Sequence, residues 1–372
     1  MIKSASRQPR GMVLLNGTRV SWIDFEINNN AYYQADTFRV TIPIKSQPAG
    51  IDTSWWAAQE QIEVELYIGF PSDPDNYSAE DLDIMFAGTV DILPHEMVSG
   101  VISLAGRDYT GKLIDTKTSM KWPGKTSSDI ATMLASKYEL TPAVTKTNKK
   151  VGVYIAHENA KMQIQWSEWD LLNWLAKQEG FQVYVAGTEL HFEPKTASAP
   201  IYHMEWLVDD IGNKHFDGTS LTFERNLNLA RDVIVYVHVP SSPKNKKGFT
   251  KEAKEVRNKD KVLNGKGQVR VGTPQVFTYT IPNLSPEQAL QKAQTLLRDI
   301  TRHQIKMLAV GIPADNILTP RHIILVSGTG IYDQQYNPDS VTRKISKQDG
   351  YLMDIVAKNH DINSQVPLIG SR

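Results

Sequence analysis

Residue types that carry enzyme chemistry occur in this 372-residue chain, but they do not stand in the patterns that catalysis requires. Its nine histidines are scattered, and no HExxH segment places two imidazoles on one helix face to bind zinc. Cysteine is absent, which excludes disulfides, thiolate nucleophiles and cysteine-ligated metal centres. The sequence therefore predicts no metal site and no cofactor.

Glycines and paired acids also lack a catalytic context. The glycine-rich run from Gly265 to Gly272 is not flanked by the strand and helix that a phosphate-binding loop needs. No GxSxG segment marks a nucleophilic serine. Asp209 and Asp210 are adjacent in sequence, whereas glycoside hydrolysis needs two carboxyls about 5 to 10 Å apart across a cleft. We interpret this pair as solvated and predict no catalytic residue.

One charged segment differs from the rest of a chain whose 41 basic and 41 acidic residues cancel. Between Ser241 and Arg270, ten basic residues face three acidic ones, and Phe249 is the one aromatic residue among them. Such a segment suits phosphates or an acidic protein surface, but not base stacking. We expect a projecting, mobile arm with nothing to bury. It would contact a neighbouring subunit or a channel lumen through Lys244, Lys246, Lys247, Lys251, Lys254 and Arg257.

A different kind of polar cluster follows two alternating strands, in the segment GRDYT at residues 106–110. Gly106 permits a positive φ or a close backbone approach because it has no side chain. Arg107 carries a planar fork that pairs best with a carboxylate. We expect Arg107 to be largely buried where the first strand-rich region meets the next unit, hydrogen-bonded to Asp108, Asp115 or a backbone carbonyl.

The first part of the chain is dominated by strand patterns. Asn16-Gly17 lies between two β-prone runs and predicts a type I′ hairpin, because that turn needs positive φ at both central residues. Alternating apolar and polar residues predict further strands around residues 37–42, 62–68, 84–92 and 98–105. About six strands within the first ~115 residues are typical of a sandwich or barrel.

Helical signals begin after residue 118. Thr126 and Asp129 form a capping box before one apolar-periodic run. Ser167 and Asp170 form a second box, and the helix that they start should end at Gly180. Two short strand patterns at residues 181–185 and 189–192 follow. Together these signals predict a small α/β domain.

A third region begins near Ser220 and returns to strand patterns. Residues 231–239 alternate, with four valines on one face. Ser285 precedes Pro286 as the cap of a single helix. Strand patterns follow; they lie at residues 305–310, 322–326 and 351–357.

Two short motifs resemble a known family in their order and spacing. FxGxVD carries Phe86, Gly88 and Asp91, and GRDxTxxLID carries Gly106, Arg107, Asp108, Thr110 and Asp115. They resemble the baseplate hub of contractile phage tails: the late control gene D proteins, the Mu-type hub and the N-terminal part of VgrG in type VI secretion. The later segments SEWDLLNWLAKQEGFQVYVAGTELHFEP and LTPRHIILVSGTG are also similar to the middle and C-terminal parts of that family.

The resemblance implies an α+β fold that is mainly β. It implies a first tail-tube-like β-barrel at residues 1–118, a small α/β domain at 119–215, and a second tube-like barrel at 216–372 with a basic insertion at 241–270. It further implies a structural protein rather than an enzyme. Three copies would form a homotrimeric ring that adapts the hexameric tail tube to a trimeric central spike and leaves a channel for DNA passage.

The implied partners are the tail tube protein, other baseplate (wedge) proteins and a central spike. We expect the spike to be a separate polypeptide because this sequence ends at Arg372. DNA would pass only in transit, and no membrane anchor is expected. The expected location is the tail baseplate of a virion, assembled in the host cytoplasm.

Two alternatives from other functional classes stay open. The first is a tail-associated peptidoglycan- or polysaccharide-degrading enzyme, which a pair of acids with shifted pKa values in a concave site would favour. The second is a carbohydrate-binding adhesin with an exposed aromatic platform. Trp55 and Trp56 could supply that platform, although paired tryptophans beside a strand more often belong to a core or an interface.

Overall fold

The computed structural model describes residues 8–31, 33–118, 122–151, 166–194, 199–208, 214–226, 233–241, 247–255, 274–282, 284–301 and 305–359. The strands are β1 (Arg10–Leu15), β2 (Thr18–Val20), β3 (Asp24–Asn30), β4 (Thr37–Pro43), β5 (Glu63–Gly69), β6 (Asp83–Ile92), β7 (His95–Glu96), β8 (Val101–Asp108), β9 (Lys117–Thr118), β10 (Thr141–Val144), β11 (Trp166–Ser167), β12 (Phe181–Ala186), β13 (Glu189–Pro194), β14 (Ile201–Glu205), β15 (Leu207–Val208), β16 (Lys214–His215), β17 (Ser220–Arg225), β18 (Val233–Val239), β19 (Phe249–Glu255), β20 (Gln275–Thr280), β21 (Ile305–Pro313), β22 (Ile323–Ser327), β23 (Gln335–Ser346) and β24 (Gly350–Asn359). The helices are α1 (Thr53–Ala58), α2 (Thr110–Asp115), α3 (Ser127–Lys137), α4 (Glu168–Glu179) and α5 (Pro286–Thr301).

One large sheet contains strands from both ends of the chain. Its order is β17-β21-β24-β23-β3-β4-β8-β6-β5-β1-β2, with β22 and β14 branching from β23, and β7 paired to β8. The two halves meet where β3 pairs antiparallel with β23, from Asp24 opposite Ser346 to Asn30 opposite Ser340. The mainly-β, α+β class is therefore confirmed.

The two predicted tube-like barrels are not found as closed barrels. Within the described strands the hydrogen-bonded path is open, because it ends at β2 on one side and at β17 on the other. The strands expected to close two separate barrels instead continue into each other through β3 and β23. Neither of these crossing strands was predicted from the sequence, although Phe25 and Ile27 alternate with Asp24 and Glu26 in β3.

Buried apolar side chains in the described ranges form four clusters. The first lies under β1 to β8 and includes Ile345 and Tyr351 from the C-terminal half. The second belongs to α3, α4, β10, β12 and β13, which we call the α/β unit, and it also takes in Ala87, Tyr109 and Leu113. The third lies under β21 to β24. The fourth belongs to β18, β19, β20 and α5, which we call the insert unit.

The insert unit corrects the expectation of an arm with nothing to bury. Strand β19 pairs with β18 over seven residues, from Phe249 opposite Val239 to Glu255 opposite Val233. Ala253 of β19 is buried against α5 together with the valines of β18. The described part of the basic segment is thus a structural strand.

Local sequence signals for turns and caps are confirmed. Asn16 and Gly17 have φ values of 47° and 75° in the β1–β2 turn. Thr126 and Ser167 each cap a helix in a capping box, and Gly180 ends α4 with a φ of 71°. Ser285 exchanges hydrogen bonds with Gln288 at the start of α5. In the described part of the chain, no helix is both long enough and apolar enough to cross a bilayer.

Candidate functional site: the junction between sheet and α/β unit

The residues of the two family-like motifs come together where β6 and β8 lead into α2. Phe86 is buried in the first cluster and packs against Phe38 at a ring distance of 5.0 Å. Gly88 lies opposite Asp108, and Thr89 lies opposite Arg107. The register shifts between Val90 and Ile92, so Asp91 sits in a β-bulge. The sequence motif therefore marks an irregular crossing of two strands.

Gly88 and Gly106 permit a close approach of the two backbones. A Cβ atom at Gly106 would overlap the Thr89 carbonyl oxygen, and one at Gly88 would overlap the Arg107 carbonyl oxygen. Gly106 does not have a positive φ. Its missing side chain instead allows the close approach of the two backbones. Any side chain at either position would force the strands apart.

Arg107 is held by two carboxylates at once. Its Nε and Nη2 donate to Asp91 at 2.6 and 2.9 Å, and its Nη1 and Nη2 donate to Asp115 at 2.9 and 2.8 Å. Asp91 belongs to the bulge of β6 and Asp115 to the last turn of α2, so the guanidinium ties the helix to the sheet. We call Arg107, Asp91 and Asp115 the arginine clamp.

The arginine clamp is more exposed than the sequence led us to expect. The side chains of Arg107, Asp91 and Asp115 are 28%, 32% and 62% exposed, respectively. Asp115 is one of the partners proposed for Arg107, whereas Asp91 was not proposed and Asp108 is not a partner. Hydrogen bonding from Arg107 lowers the pKa of Asp115, and both carboxylates raise the already high pKa of Arg107.

Asp108 points to the other side of β8, since neighbouring side chains of a strand alternate. It is 7% exposed, and its Oδ1 accepts from the backbone N–H of Thr110 at the start of α2. Its own N–H donates to the carbonyl of Asp36 at 3.0 Å, which continues the ladder in which Thr37 faces Arg107. Asp36 and Asp108 are therefore cross-strand neighbours, and we call them the aspartate pair.

The aspartate pair lines a cavity of about 370 Å³ between the sheet and the α/β unit. Burial, followed by the neighbouring Asp36, raises the pKa of Asp108 to about 8. Burial also raises the pKa of Asp36, against hydrogen bonds from Asn30 and Asn29 that lower it. Asp36 as a whole residue keeps some exposed surface, but protein atoms enclose its carboxyl group, and that enclosure sets the direction of the shift.

Two arginines from the C-terminal half also line this cavity. Arg343 is 1% exposed and donates to the carbonyls of Asp315 and Leu318 and, at 3.0 Å, to Oδ1 of Asn29. Asn29 in turn donates to Asp36 at 2.7 Å. A hydrogen-bond relay therefore runs from Arg343 through Asn29 to the aspartate pair. Arg321 lies 4.2 Å above the ring of Tyr184 in β12.

A tryptophan of α4 fastens the α/β unit to the loop that precedes Asp36. Nε1 of Trp169 donates to the carbonyl of Tyr33 at 2.6 Å, and Nζ of Lys177 lies 5.1 Å from the Tyr33 ring. Tyr33 has a φ of 69°, which is uncommon for an aromatic residue. Sequence reasoning missed Asp36, Tyr33, Arg343 and Trp169 as a group, because they come from three separate segments of the chain.

Among the predicted basic contact residues that the structure describes, the two in β19 do not share a face. Lys251 and Lys254 lie three positions apart in β19, so their side chains point to opposite faces of that strand. Lys247 is exposed just before β19. Lys244, Lys246 and Arg257 lie outside the described residues, as do Asp209 and Asp210.

Other candidate sites have a structural place. Trp56 is 4% exposed in the first cluster, and Trp55 packs edge-on against it at 4.8 Å, so this pair is no open aromatic platform. Among the residues that the structure describes, no group of three or more histidine and acidic side chains is placed to hold a metal ion.

No protein-family model and no curated protein sequence matches the chain. Solved structures do match it over nearly its whole length. The tail protein from Neisseria meningitidis MC58 superposes with a TM-score of 0.62 and 16% identity, covering 96% of this chain and 98% of that one. The 43 kDa tail protein of prophage MuSo2 from Shewanella oneidensis gives 0.60 and 13%, covering 97% and 100%.

A chain of the Francisella PdpA–VgrG complex also matches, with a TM-score of 0.53 and 10% identity, over 98% of this chain and 60% of that one. At such low identities the likeness establishes the fold. The chain therefore shares its overall fold with these proteins, two of which are described as tail proteins.

Proposed function

We propose that this protein is a structural hub subunit in the baseplate of a contractile phage tail. The observation that carries the proposal is the likeness to two tail proteins over 96% and 97% of this chain and 98% and 100% of theirs. A match of that extent includes both halves of the large sheet and the units between them. The motif residues of the junction support it, since they hold the α/β unit in a defined place on the sheet.

Three copies of the chain would form a ring around an axial channel. In the family that the motifs resemble, the tail tube has hexameric rings and the central spike is a trimer. A subunit with two strand-rich halves can present six such halves in a closed trimer, which matches the tube on one face and the spike on the other. Closed cyclic symmetry is also how most homo-oligomers form. The division into a first half, an α/β domain and a second half with a basic insertion remains part of this proposal.

The partners of such a ring would be the tail tube protein, a central spike and other baseplate (wedge) proteins, with DNA crossing the channel in transit. Lys247 and Lys254 are exposed and could face that channel or an acidic surface of a neighbouring copy. The protein would reside in the virion tail after assembly in the host cytoplasm.

Native mass spectrometry and negative-stain imaging of the purified chain test the proposal. We expect a species of about 125 kDa, three times the 41.8 kDa of one chain, with a central hole in end-on views. A chain that stays a monomer or dimer at every concentration, and also inside purified tail particles, contradicts the proposal. A trimer without an axial opening contradicts the channel.

The aspartate pair favours one rival function, a peptidoglycan- or polysaccharide-degrading enzyme, because two acids with raised pKa values line a concave site. Both oxygens of Asp36, however, already accept hydrogen bonds from Asn30 and Asn29 at 2.7 Å. Asp108 likewise accepts from the first turn of α2. These carboxyls are tied to the fold, which favours a structural role. Loss of turbidity of a peptidoglycan suspension, abolished by Asp108→Asn, would establish the enzyme instead.

A further inference from the structure

Two attachments of the α/β unit to the sheet pass through the aspartate pair, and the arginine clamp is a third. On one side, Asp36 ends the loop that carries Tyr33, and it holds that loop by accepting from Asn30 N and Asn29 Nδ2. Tyr33 in turn accepts from the indole of Trp169 in α4. On the other side, Asp108 holds the first turn of α2, whose Leu113 is buried in the core of the α/β unit.

The two carboxyl groups cannot both be charged without cost. Residues directly opposite on neighbouring antiparallel strands have Cβ atoms about 4.5 to 5.5 Å apart, and like charges at that spacing repel each other. Where the carboxyl groups are buried the repulsion is weakly screened, so one acid of such a pair keeps its proton to a higher pH than it would alone. The strand β6, which also lines the cavity, contributes the apolar side chains Ile84, Met85 and Phe86 there and no counter-charge.

The charged and titratable groups that line the cavity are Asp36, Asp108, Tyr184, Arg321 and Arg343. Arg343 donates its hydrogen bonds to the carbonyls of Asp315 and Leu318 and to Oδ1 of Asn29. Arg321 is exposed and stacks on Tyr184. Both arginines lower the pKa of Asp36, but neither forms an ion pair with it. The aspartate pair can therefore still bind a proton.

We propose that Asp108 keeps a proton beside Asp36 and that the two residues act as a pH-sensitive latch that holds the α/β unit against the sheet. When the proton leaves to solvent, two negative charges face each other across β4 and β8. Their repulsion is relieved by water entering the cavity and by movement of the Tyr33 loop, which loosens the bond from Trp169. The latch works within one chain and stands whether or not the trimer forms.

The direction of the pH effect follows from where the proton binds more tightly. The closed junction binds it up to a pH of about 8 at Asp108, whereas an opened, solvated junction releases it near the ordinary value of about 4. The closed form is therefore fully favoured below pH 4, loses its advantage as the pH rises from 4 to 8, and changes little above 8. The opening constant rises by up to about tenfold per pH unit in that window.

The test is the hydrogen-exchange protection factor of the Trp169 indole N–H, measured by NMR on the full-length chain between pH 5 and 9. Trp169→Phe assigns the signal, and correction for the intrinsic exchange rate removes the ordinary effect of pH. We expect the protection to fall by up to about tenfold per unit up to pH 8 and then to level off. Asp108→Asn, which cannot ionise, should remove most of that slope, while Glu60→Gln at an exposed position should leave it unchanged.

The indole of Trp56, buried in the first cluster, distinguishes the latch from general loss of stability. Opening of the latch exposes Trp169 and leaves Trp56 protected, whereas global unfolding lowers the protection of both. The proposal is overturned if Trp169 protection is flat between pH 5 and 8, if Trp56 follows it in parallel, or if Asp108→Asn keeps the wild-type slope. Where Asp108→Asn does not fold, Asp36→Asn and the wild-type comparison of the two indoles decide the matter.

Discussion

Replacing Arg107 with alanine removes the guanidinium that bridges β6 and α2. The substitution leaves Asp91 and Asp115 without their shared partner, and both carboxylates then face each other across the place that Arg107 occupied. Each arm of the arginine clamp is bidentate, with four N–O distances between 2.6 and 2.9 Å. Such geometry is stronger than a single contact between flexible side chains.

The expected cost follows from how much of each side chain water reaches. Breaking a fully buried ion pair costs about 3 to 5 kcal/mol, while an exposed pair contributes about 0 to 1 kcal/mol. Arg107 and Asp91 are 28% and 32% exposed, which places that arm between the two limits, at about 1 to 2 kcal/mol. Asp115 is 62% exposed, so its arm should add less than about 1 kcal/mol. We expect a total of about 2 kcal/mol.

Urea unfolding of the wild type, Arg107→Ala, Asp91→Ala and the double variant measures the Arg107–Asp91 coupling in a double-mutant cycle. Glu224→Ala is the matched control, because its pair with Lys306 is 3.9 Å long and exposed on both sides. That control should change stability by less than about 0.5 kcal/mol. Arg107→Lys should recover at most part of the loss, since an ammonium cannot form two parallel forks.

The reasoning fails if Arg107→Ala and Glu224→Ala cost the same, because the fork geometry would then be worth no more than a loose surface contact. It also fails if Arg107→Lys is as stable as the wild type. A destabilisation by Arg107→Ala of about 4 kcal/mol would show that the arginine clamp is as well shielded from water as the sequence analysis expects.

Other parts of the fold give four further expectations. Gly106→Ala should destabilise the protein by about 2 kcal/mol or more in thermal melts, because its Cβ would overlap the Thr89 carbonyl, whereas Ser103→Ala on the same strand should be mild. The cost of Arg107→Ala should shrink between pH 6 and pH 3: the pKa of Asp115 is lowered in the folded chain, so its contribution is present above its ordinary value of about 4 and lost as the pH falls below it. Val98→Ser, at a hairpin tip where Val98 is 98% and Met97 73% exposed, should weaken the proposed trimer in native mass spectra without lowering the monomer melting temperature, and Val276→Ser, 53% exposed, serves as its control. Deleting Phe249–Glu255 should unfold the insert unit, because β19 pairs along the whole of β18. The measurement is loss of hydrogen-exchange protection in β18 and α5. Unchanged protection would show that the segment is not needed for the fold of the insert unit.

The sequence shows which residue types form the junction, but it does not show which of them pair with each other. The sequence offers Asp108, Asp115 or a backbone carbonyl as the partner of Arg107, and the structure shows Asp115 as one of its two partners. Asp91 accepts from Arg107 at the bulge between Val90 and Ile92, and no local sequence pattern predicts that bulge. Asp36 became part of a buried acid pair only because β4 pairs with β8, some seventy residues further along the chain.

Elements that are stabilised by local interactions can be predicted from the sequence. Capping boxes at Thr126, Ser167 and Ser285 satisfy backbone groups within one helical turn, and Asn16-Gly17 selects its turn through its own φ angles. Tertiary structure alone decided that the two strand-rich halves form one open sheet. The pairing of β3 with β23 joins residues more than three hundred positions apart. Alternation of apolar and polar residues predicts a strand but not its partner, because backbone hydrogen bonds between strands do not depend on particular side chains. The cavity combines residues from both halves of that sheet and from the α/β unit, and its aspartate pair depends on the pairing of β4 with β8.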